Sequence, residues 1–162
     1  MPITATINPR IVEALYCEAL VLSDEVRTAF TLSGRLDAAG MAAGIDGDAG
    51  RVALSSEGLR TTTRMMHAIA WLLNHRAYFM GEISDLQLRR HGRLSPAMRQ
   101  SDPAHALLLA PETAQLVEIT RRFYDRLLRL DQAWRLTSPA ATGAIQRLRE
   151  RIEAPVLPGV AV

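Results

Sequence analysis

Hydrophobic positions recur at helical spacing in three long stretches of the chain. The first runs from residue 9 to about residue 33, where Asn8 followed by Pro9 gives an N-cap and a proline at the first helical position. The third begins at Pro111 and Glu112 and ends near residue 136. Apolar residues spaced three or four positions apart line one side of a helix. Both stretches therefore predict amphipathic helices that each bury one side.

The second stretch, from residue 55 to about residue 80, predicts a central helix with a wide apolar side. On a helical wheel this side covers about half of the circumference. Its members are Leu59, Thr62, Met65, Met66, Ile69, Ala70, Leu72, Leu73, Ala77, Phe79 and Met80. A side of this width offers room for two neighbouring helices, so we expect this helix to lie in the middle of a bundle.

The opposite side of the central helix carries polar and aromatic residues, which we call the polar stripe. It consists of Arg60, Arg64, His67, Trp71, His75 and Tyr78. Exposed Trp and Tyr beside Arg are typical of surfaces that bind protein partners. The connection from residue 82 to residue 110 could equally cover the stripe. The sequence leaves both interpretations open, a partner-binding surface and part of the interior.

Arg76 stands inside the apolar side of the central helix. A guanidinium that is removed from water requires a carboxylate partner. We therefore predict a buried ion pair of Arg76 with Glu18 or Glu25 of the first helix, with Asp125 and Asp131 of the third helix as alternatives.

The first helix has a second, smaller apolar patch away from its main apolar side. It consists of Ala14, Cys17, Val21 and Leu32, and we call it the α1 patch. A patch of this kind could seat a partner helix.

Glycine and acidic residues between Gly34 and Gly50 predict a flexible loop. Its DGDAG run is only partly like a calcium-binding loop, because Gly50 stands at the third ligand position and no Glu closes the site. Calcium binding is therefore not predicted.

Two shorter elements follow the central helix and the third long helix. Ser84 and Gln87 have the spacing of a capping box, which predicts a short helix that ends near Gly92. A short amphipathic segment with Ile145, Leu148 and Ile152 precedes the final residues 154–162, in which two prolines and a glycine predict an extended tail. Residues 1–153 are then one helical domain. The predicted fold is all-α, a three-helix bundle with short accessory helices and flexible loops.

Composition sets limits on the compartment and on cofactors. No run approaches the roughly 18 apolar residues of a membrane span, and the N-terminus has no signal-peptide pattern, so the cytoplasm is expected. The single Cys17 forms no internal disulfide. His67 and His75 are about 12 Å apart along a helix, too far to share one metal ion. No metal site and no cofactor are predicted.

Charge and motif content leave two alternative functions with little support. A DNA-associated regulator would use Arg121, Arg122, Arg126 and Arg129, but acidic residues alternate with these on the same helix and the net charge is only +2. A small helical enzyme would hold an anionic substrate with the Arg and His of the polar stripe. The sequence has no nucleophile motif, no phosphate-binding glycine loop and no carboxylate pair at a spacing typical of acid–base catalysis. We therefore predict a protein that is not an enzyme.

The order of polar and apolar residues in the central helix resembles the RcdA family, the regulator-of-CtrA-degradation proteins of alphaproteobacteria. The resembling core is Glu57, Leu59, Arg60, Thr62, Thr63, Arg64, Met65, Met66, Ala70, Trp71, Leu72, Leu73, Arg76, Ala77, Gly81 and Glu82. The first helix is similar through Leu15, Tyr16, Glu18, Ala19 and Leu22. The resemblance covers roughly the first half of the chain.

This resemblance implies a dimeric three-helix bundle that serves as a non-enzymatic adaptor in cell-cycle control. Members of the family bind substrate proteins and help deliver them to the ClpXP protease, after a response-regulator-like protein has primed the ClpX unfoldase. The implied partners are therefore ClpX with its priming protein, the proteolysis substrates and a second copy of the chain. In that family a flexible C-terminal tail matters for function, whereas the tail here is short and apolar.

Overall fold

The computed structural model describes residues 7–39 and 45–137, which are almost entirely helical. The elements are α1 (Pro9–Ala39), α2 (Ile45–Phe79), α3 (Asp85–His91), a 3-10 helix (Pro96–Arg99), α4 (Pro103–Ala106) and α5 (Pro111–Thr137). These ranges contain no strand, so the all-α prediction is confirmed. Within the same ranges, no helix combines the length and the apolar character that crossing a membrane requires.

The three long helices form the bundle, and the short elements after α2 close one side of it. The α1 and α2 helices run antiparallel, since Phe30 lies against Gly58 at one end of the pair and Glu13 lies against Arg76 at the other. The α5 helix packs on both of them. The buried core joins the three helices with the connection: Ile7, Val12, Leu15, Ala19, Leu22, Val26, Met65, Ala68, Trp71, Leu72, Leu94, Leu116, Phe123, Tyr124, Leu127 and Leu128.

The helix ends agree with the capping signals in the sequence. The Asn8 side chain accepts a hydrogen bond from the Ile11 backbone N–H at 3.0 Å, as an N-cap does. Ser84 and Gln87 form the predicted capping box of α3, with the Ser84 backbone N–H donating to Gln87 Oε1 at 2.8 Å. After α2, Gly81 has a φ of +78°, a conformation that glycine adopts without strain.

The flexible loop predicted between Gly34 and Gly50 is largely wrong. The α1 helix continues to Ala39, and α2 begins at Ile45, ten residues before the predicted start. A glycine inside a helix costs about 1 kcal/mol relative to alanine, a preference that tertiary packing overrides. Such packing is present here, because Ala53 in the added part of α2 is fully buried. The predicted segment with Ile145, Leu148 and Ile152 and the extended tail 154–162 lie outside the described residues.

Candidate functional site

Three of the six residues of the polar stripe lie inside the protein. Arg64 and His75 have no exposed surface, Trp71 is 2% exposed and Tyr78 is half-buried, whereas Arg60 and His67 are exposed. The connection after α2 and the α5 helix cover the buried residues. The prediction that this stripe binds a partner is therefore wrong for Arg64, Trp71 and His75, which no partner can reach in the folded chain.

Arg64 holds the connection against α2 and α5. Its guanidinium donates to the backbone carbonyl oxygens of Met98 and Gln100, at 2.8 and 3.1 Å, and to Thr120 Oγ1 at 2.9 Å. Burial lowers the pKa of Arg64, and the charge of Glu57 opposes this shift. The arrangement satisfies three donors of a buried cation with uncharged acceptors, so Arg64 fixes the path of the connection.

Glu57, one of the residues that carry the resemblance, holds the next part of the same connection. It is fully buried and accepts hydrogen bonds from Ser101 Oγ at 2.8 Å and from the Asp102 backbone N–H at 3.2 Å. Arg60 Nη1 lies 3.4 Å from the same carboxylate. Glu57 and Arg64 are seven residues apart and share one side of α2, and together they bind the connection from Met98 to Asp102.

A second buried polar cluster lies near the ends of α2 and α5. Trp71 Nε1 donates to Asp131 Oδ1 at 3.1 Å, and Arg135 pairs with the other oxygen of Asp131 at 3.0 Å. The His75 ring lies 3.8 Å from the Trp71 ring, and its Nδ1 is 2.9 Å from the Trp71 backbone oxygen. Burial lowers the pKa of His75, so the neutral ring with a proton on Nδ1 fits this environment.

Arg76 forms an ion pair, but its partner is none of the four predicted candidates, since Asp125 pairs with Arg99 and Asp131 with Arg135. The Arg76 Nε lies 2.8 Å from a carboxylate oxygen of Glu13, the guanidinium lies over the Tyr16 ring, and a third of the side chain is exposed. The antiparallel register places Glu13 beside Arg76, whereas Glu18 lies on the α5 side of α1 and pairs with Arg126. Glu25 is exposed on the outer side of α1. The ion pair therefore lies at the rim of the bundle and not in its core.

The predicted apolar side of α2 is only partly core. Met65 and Leu72 are buried against α1, but another part of the same side faces solvent. Five large residues at seven-residue intervals are between 44% and 71% exposed there: Val52, Leu59, Met66, Leu73 and Met80. Smaller residues lie four positions after the first four of them: Ser56, Thr63, Ala70 and Ala77. We call these nine residues the α2 strip.

An apolar groove runs beside the α2 strip, between α1 and α2. It has a volume of about 510 Å³ and is lined by Ser23, Val26, Arg27, Phe30, Thr31, Thr62, Met65, Met66 and Ile69. Met66 belongs to both the groove and the strip. The members of the α1 patch are exposed as well, so apolar surface extends over the outer sides of both helices. Large uncovered apolar surface on a folded chain indicates an interaction site.

The arginines that the DNA-binding alternative requires are mostly paired with carboxylates. Arg121 and Arg122 both bind Glu118, at 2.8 and 3.1 Å, and Arg126 pairs with Glu18. Such a helix side presents balanced charge. No group of three or more metal-binding side chains is found within residues 7–39 and 45–137.

One comparison with known proteins gives a match. The profile of the family described as Protein of unknown function (DUF1465) matches residues 3–156, nearly the whole chain. No curated protein and no solved structure matches the sequence.

Proposed function

The chain belongs to the DUF1465 family of proteins of unknown function, and from this premise we propose that it is a non-enzymatic adaptor that binds partner proteins and helps deliver substrates to the ClpXP protease. The resemblance of its central helix to the RcdA proteins supplies the specific role. The proposed partners are ClpX with its response-regulator-like priming protein, the proteolysis substrates and a second copy of the chain. The protein would act in the cytoplasm.

The observation that carries this proposal is the way polar and apolar groups are distributed. The groups that could take part in chemistry are held in structural contacts, as Arg64, Trp71 and His75 are. Apolar side chains such as Val21 and Met66 instead face solvent on α1 and α2. An adaptor has to contact at least two other molecules, and apolar surfaces on two helices suit that task.

The two alternatives have weaker support. A helical enzyme would need the Arg and His of the polar stripe to reach a substrate, but Arg64 and His75 are buried. A DNA-associated regulator would need unpaired arginines on α5, but Arg121, Arg122 and Arg126 are bound to carboxylates.

A reconstituted degradation assay tests the proposal. Purified ClpX, ClpP and the priming protein are mixed with a panel of candidate substrates, with and without this protein. We expect faster turnover of at least one substrate, with the increase saturating as the adaptor concentration rises. Unchanged turnover of every substrate would overturn the delivery role, and salt-sensitive binding to duplex DNA would favour the DNA-associated alternative.

A further inference from the structure

We propose that the seam between the connection and α5 is a docking surface for an acidic segment of a partner protein. Its basic residues, which we call the basic patch, are Arg90, His91, Arg93 and Arg129. The inference rests on the proposed function in treating this chain as a protein that binds other proteins. It adds a surface whose chemistry differs from that of the apolar α1 patch, and it assigns a negatively charged partner to that surface.

The first argument is the set of arginines that have no carboxylate partner. Most arginines in residues 7–39 and 45–137 form ion pairs with carboxylates, and the buried Arg64 donates to uncharged acceptors instead. The exposed arginines of these ranges without such a partner are Arg10, Arg35, Arg90, Arg93 and Arg129. Three of these five belong to the basic patch. An exposed cation without a carboxylate beside it can pair with a negatively charged group of another molecule.

The second argument is that the fold brings the basic residues together. The connection runs along α5 in the opposite direction. At one end Arg135 Nη1 donates to the Arg89 backbone oxygen at 3.4 Å, and at the other end Tyr124 Oη donates to the Ser95 backbone oxygen at 2.9 Å. The basic residues of the connection lie between these two contacts, and so does Arg129 on α5. All four side chains of the patch are exposed, so they offer their charge along one seam.

The third argument is that the carboxylates around the patch are already bound. Asp85, Asp125 and Asp131 each pair with an arginine outside the patch, at 2.7 to 3.0 Å. Glu82 is exposed, but it precedes α3, whereas Arg90 lies in the last turn of α3. The arginines of the patch therefore keep an excess of positive charge, which attracts a segment rich in Asp and Glu.

The end of α3 explains only part of this pattern. Basic residues in the last turn of a helix are favourable because they interact with its unbonded carbonyl groups. Arg89, Arg90 and His91 occupy that turn. Arg93 and Arg129 lie outside α3, so this effect does not account for them. Binding of an acidic partner accounts for every member of the patch.

The composition of this surface favours an acidic peptide over nucleic acid. Leu86, which is 74% exposed, lies one turn before Arg90 on α3. An exposed apolar side chain next to basic ones suits a peptide that combines acidic and apolar residues. The three arginines of the patch are few for a duplex, because proteins that bind DNA tightly make about 6 to 10 phosphate contacts.

Fluorescence anisotropy with labelled synthetic peptides tests the inference on the full-length chain, without protease or cargo. The acidic probe carries about six Asp and Glu residues around one Leu, and the neutral probe has Asn and Gln in their place. We expect the acidic probe to bind and the neutral probe not to bind. Affinity for the acidic probe should fall several-fold as salt rises from about 0.05 to 0.2 M, because salt screens exposed charges.

Two double variants with the same change in net charge locate the site. Arg90→Gln with Arg93→Gln should bind the acidic probe roughly tenfold more weakly. Arg10→Gln with Arg35→Gln is the matched control, because it removes two other exposed arginines near the ends of α1 and should bind almost as the wild type does. Arg129→Gln should weaken binding roughly threefold. All of these side chains are exposed, so helical circular dichroism and the unfolding midpoint should not change.

Several outcomes would overturn the inference. They are no binding of the acidic probe at protein concentrations up to about 1 mM, equal binding of the two probes, equal losses in the two double variants, and unchanged affinity in Arg129→Gln. Tighter binding of a labelled DNA duplex to the same patch would also overturn it and would assign the patch to nucleic acid. The degradation assay measures substrate delivery separately, so faster degradation together with any of these outcomes would reject the patch and leave the adaptor role standing.

Discussion

At the scale of single residues, Arg64 links three parts of the molecule. It lies on α2, donates to the backbone of the connection at Met98 and Gln100, and donates to Thr120 of α5. A buried cation without a carboxylate in direct contact is costly unless its donors are satisfied. The three acceptors provide this, so the position of the connection depends on one side chain.

Arg64→Met should therefore destabilise the protein strongly. The substitution leaves two buried carbonyl oxygens without their donor, and we expect a loss of about 3 kcal/mol in the free energy of unfolding, measured by urea denaturation. Arg122→Met is the control, since Arg122 forms only an exposed ion pair with Glu118, and it should cost less than about 0.5 kcal/mol. Equal losses in both variants would contradict the role of Arg64.

His75 should make the stability of the protein depend on pH. Burial lowers the pKa of His75 in the folded state, while the unfolded chain has the ordinary value near 6.5. Below pH 6.5 and above the folded pKa, the unfolded state binds one proton more than the folded state, so stability rises with pH there by up to about 1.4 kcal/mol per pH unit. This contribution is complete at neutral pH and is lost as the pH falls.

Urea denaturation at several pH values between 5 and 8 measures this effect. His75→Phe, which retains an aromatic ring beside Trp71, should flatten the decline of stability below pH 6.5. The same substitution at the exposed His67 should leave the decline unchanged. An identical decline in wild type and His75→Phe would show that another group titrates.

The sequence could predict that Arg76 has a partner but could not identify the partner. A guanidinium on an apolar helix side requires a carboxylate, and it has one. The choice between Glu13, Glu18 and Glu25 depends on the register and rotation of α1 against α2, which are set by packing. The same limit applies to the polar stripe, since a helical wheel shows which residues share a side and not what covers that side.

At the scale of the helices, α2 differs most from its prediction, because it begins at Ile45 and not near residue 55. Substitutions of its glycines test whether the added part is helical. A side chain added at Gly50 would have no atom within 4 Å, whereas one at Gly58 would lie 3.0 Å from the Phe30 ring. The sequence signals were sufficient for the starts of α1, α3 and α5. The start of α2 was missed because its glycine-rich sequence has poor helix propensity, and the contacts that offset it are tertiary.

Gly50→Ala should stabilise the protein by about 0.5 to 1 kcal/mol, because alanine favours the helix and meets no neighbour. Gly58→Ala should gain less or lose stability, since Phe30 has to move. Thermal unfolding of the two variants measures the difference. No gain from Gly50→Ala would indicate that residue 50 lies in a loop, as the sequence alone suggested.

Ser84→Ala should loosen α3. The substitution removes the acceptor for the Gln87 backbone N–H and should cost about 1 kcal/mol, whereas Ser84→Thr keeps a hydroxyl and should cost much less. The α3 helix buries Leu88 and places Arg89 over the Trp134 ring. In Ser84→Ala we therefore expect faster amide hydrogen exchange in α3. We also expect a lower unfolding midpoint when unfolding is followed by tryptophan fluorescence. Similar behaviour of the two variants would show that the hydroxyl does not cap this helix.

At the scale of the whole molecule, the buried polar clusters and the exposed apolar helix sides belong to one arrangement. The connection and α5 occupy the polar side of α2, so the bundle leaves part of its apolar side uncovered. The outer side of α1 is uncovered as well, so the α1 patch remains available to a partner protein.

Val21→Glu tests the α1 patch as the cargo surface. Val21 is 59% exposed in the α1 patch, where a carboxylate would oppose the binding of an apolar partner. We expect the variant to fold normally, while the adaptor concentration required for half-maximal substrate degradation rises roughly tenfold, which corresponds to about 1.4 kcal/mol of lost binding. A Val21→Glu variant that delivers substrate at wild-type concentration would exclude the α1 patch as the cargo surface.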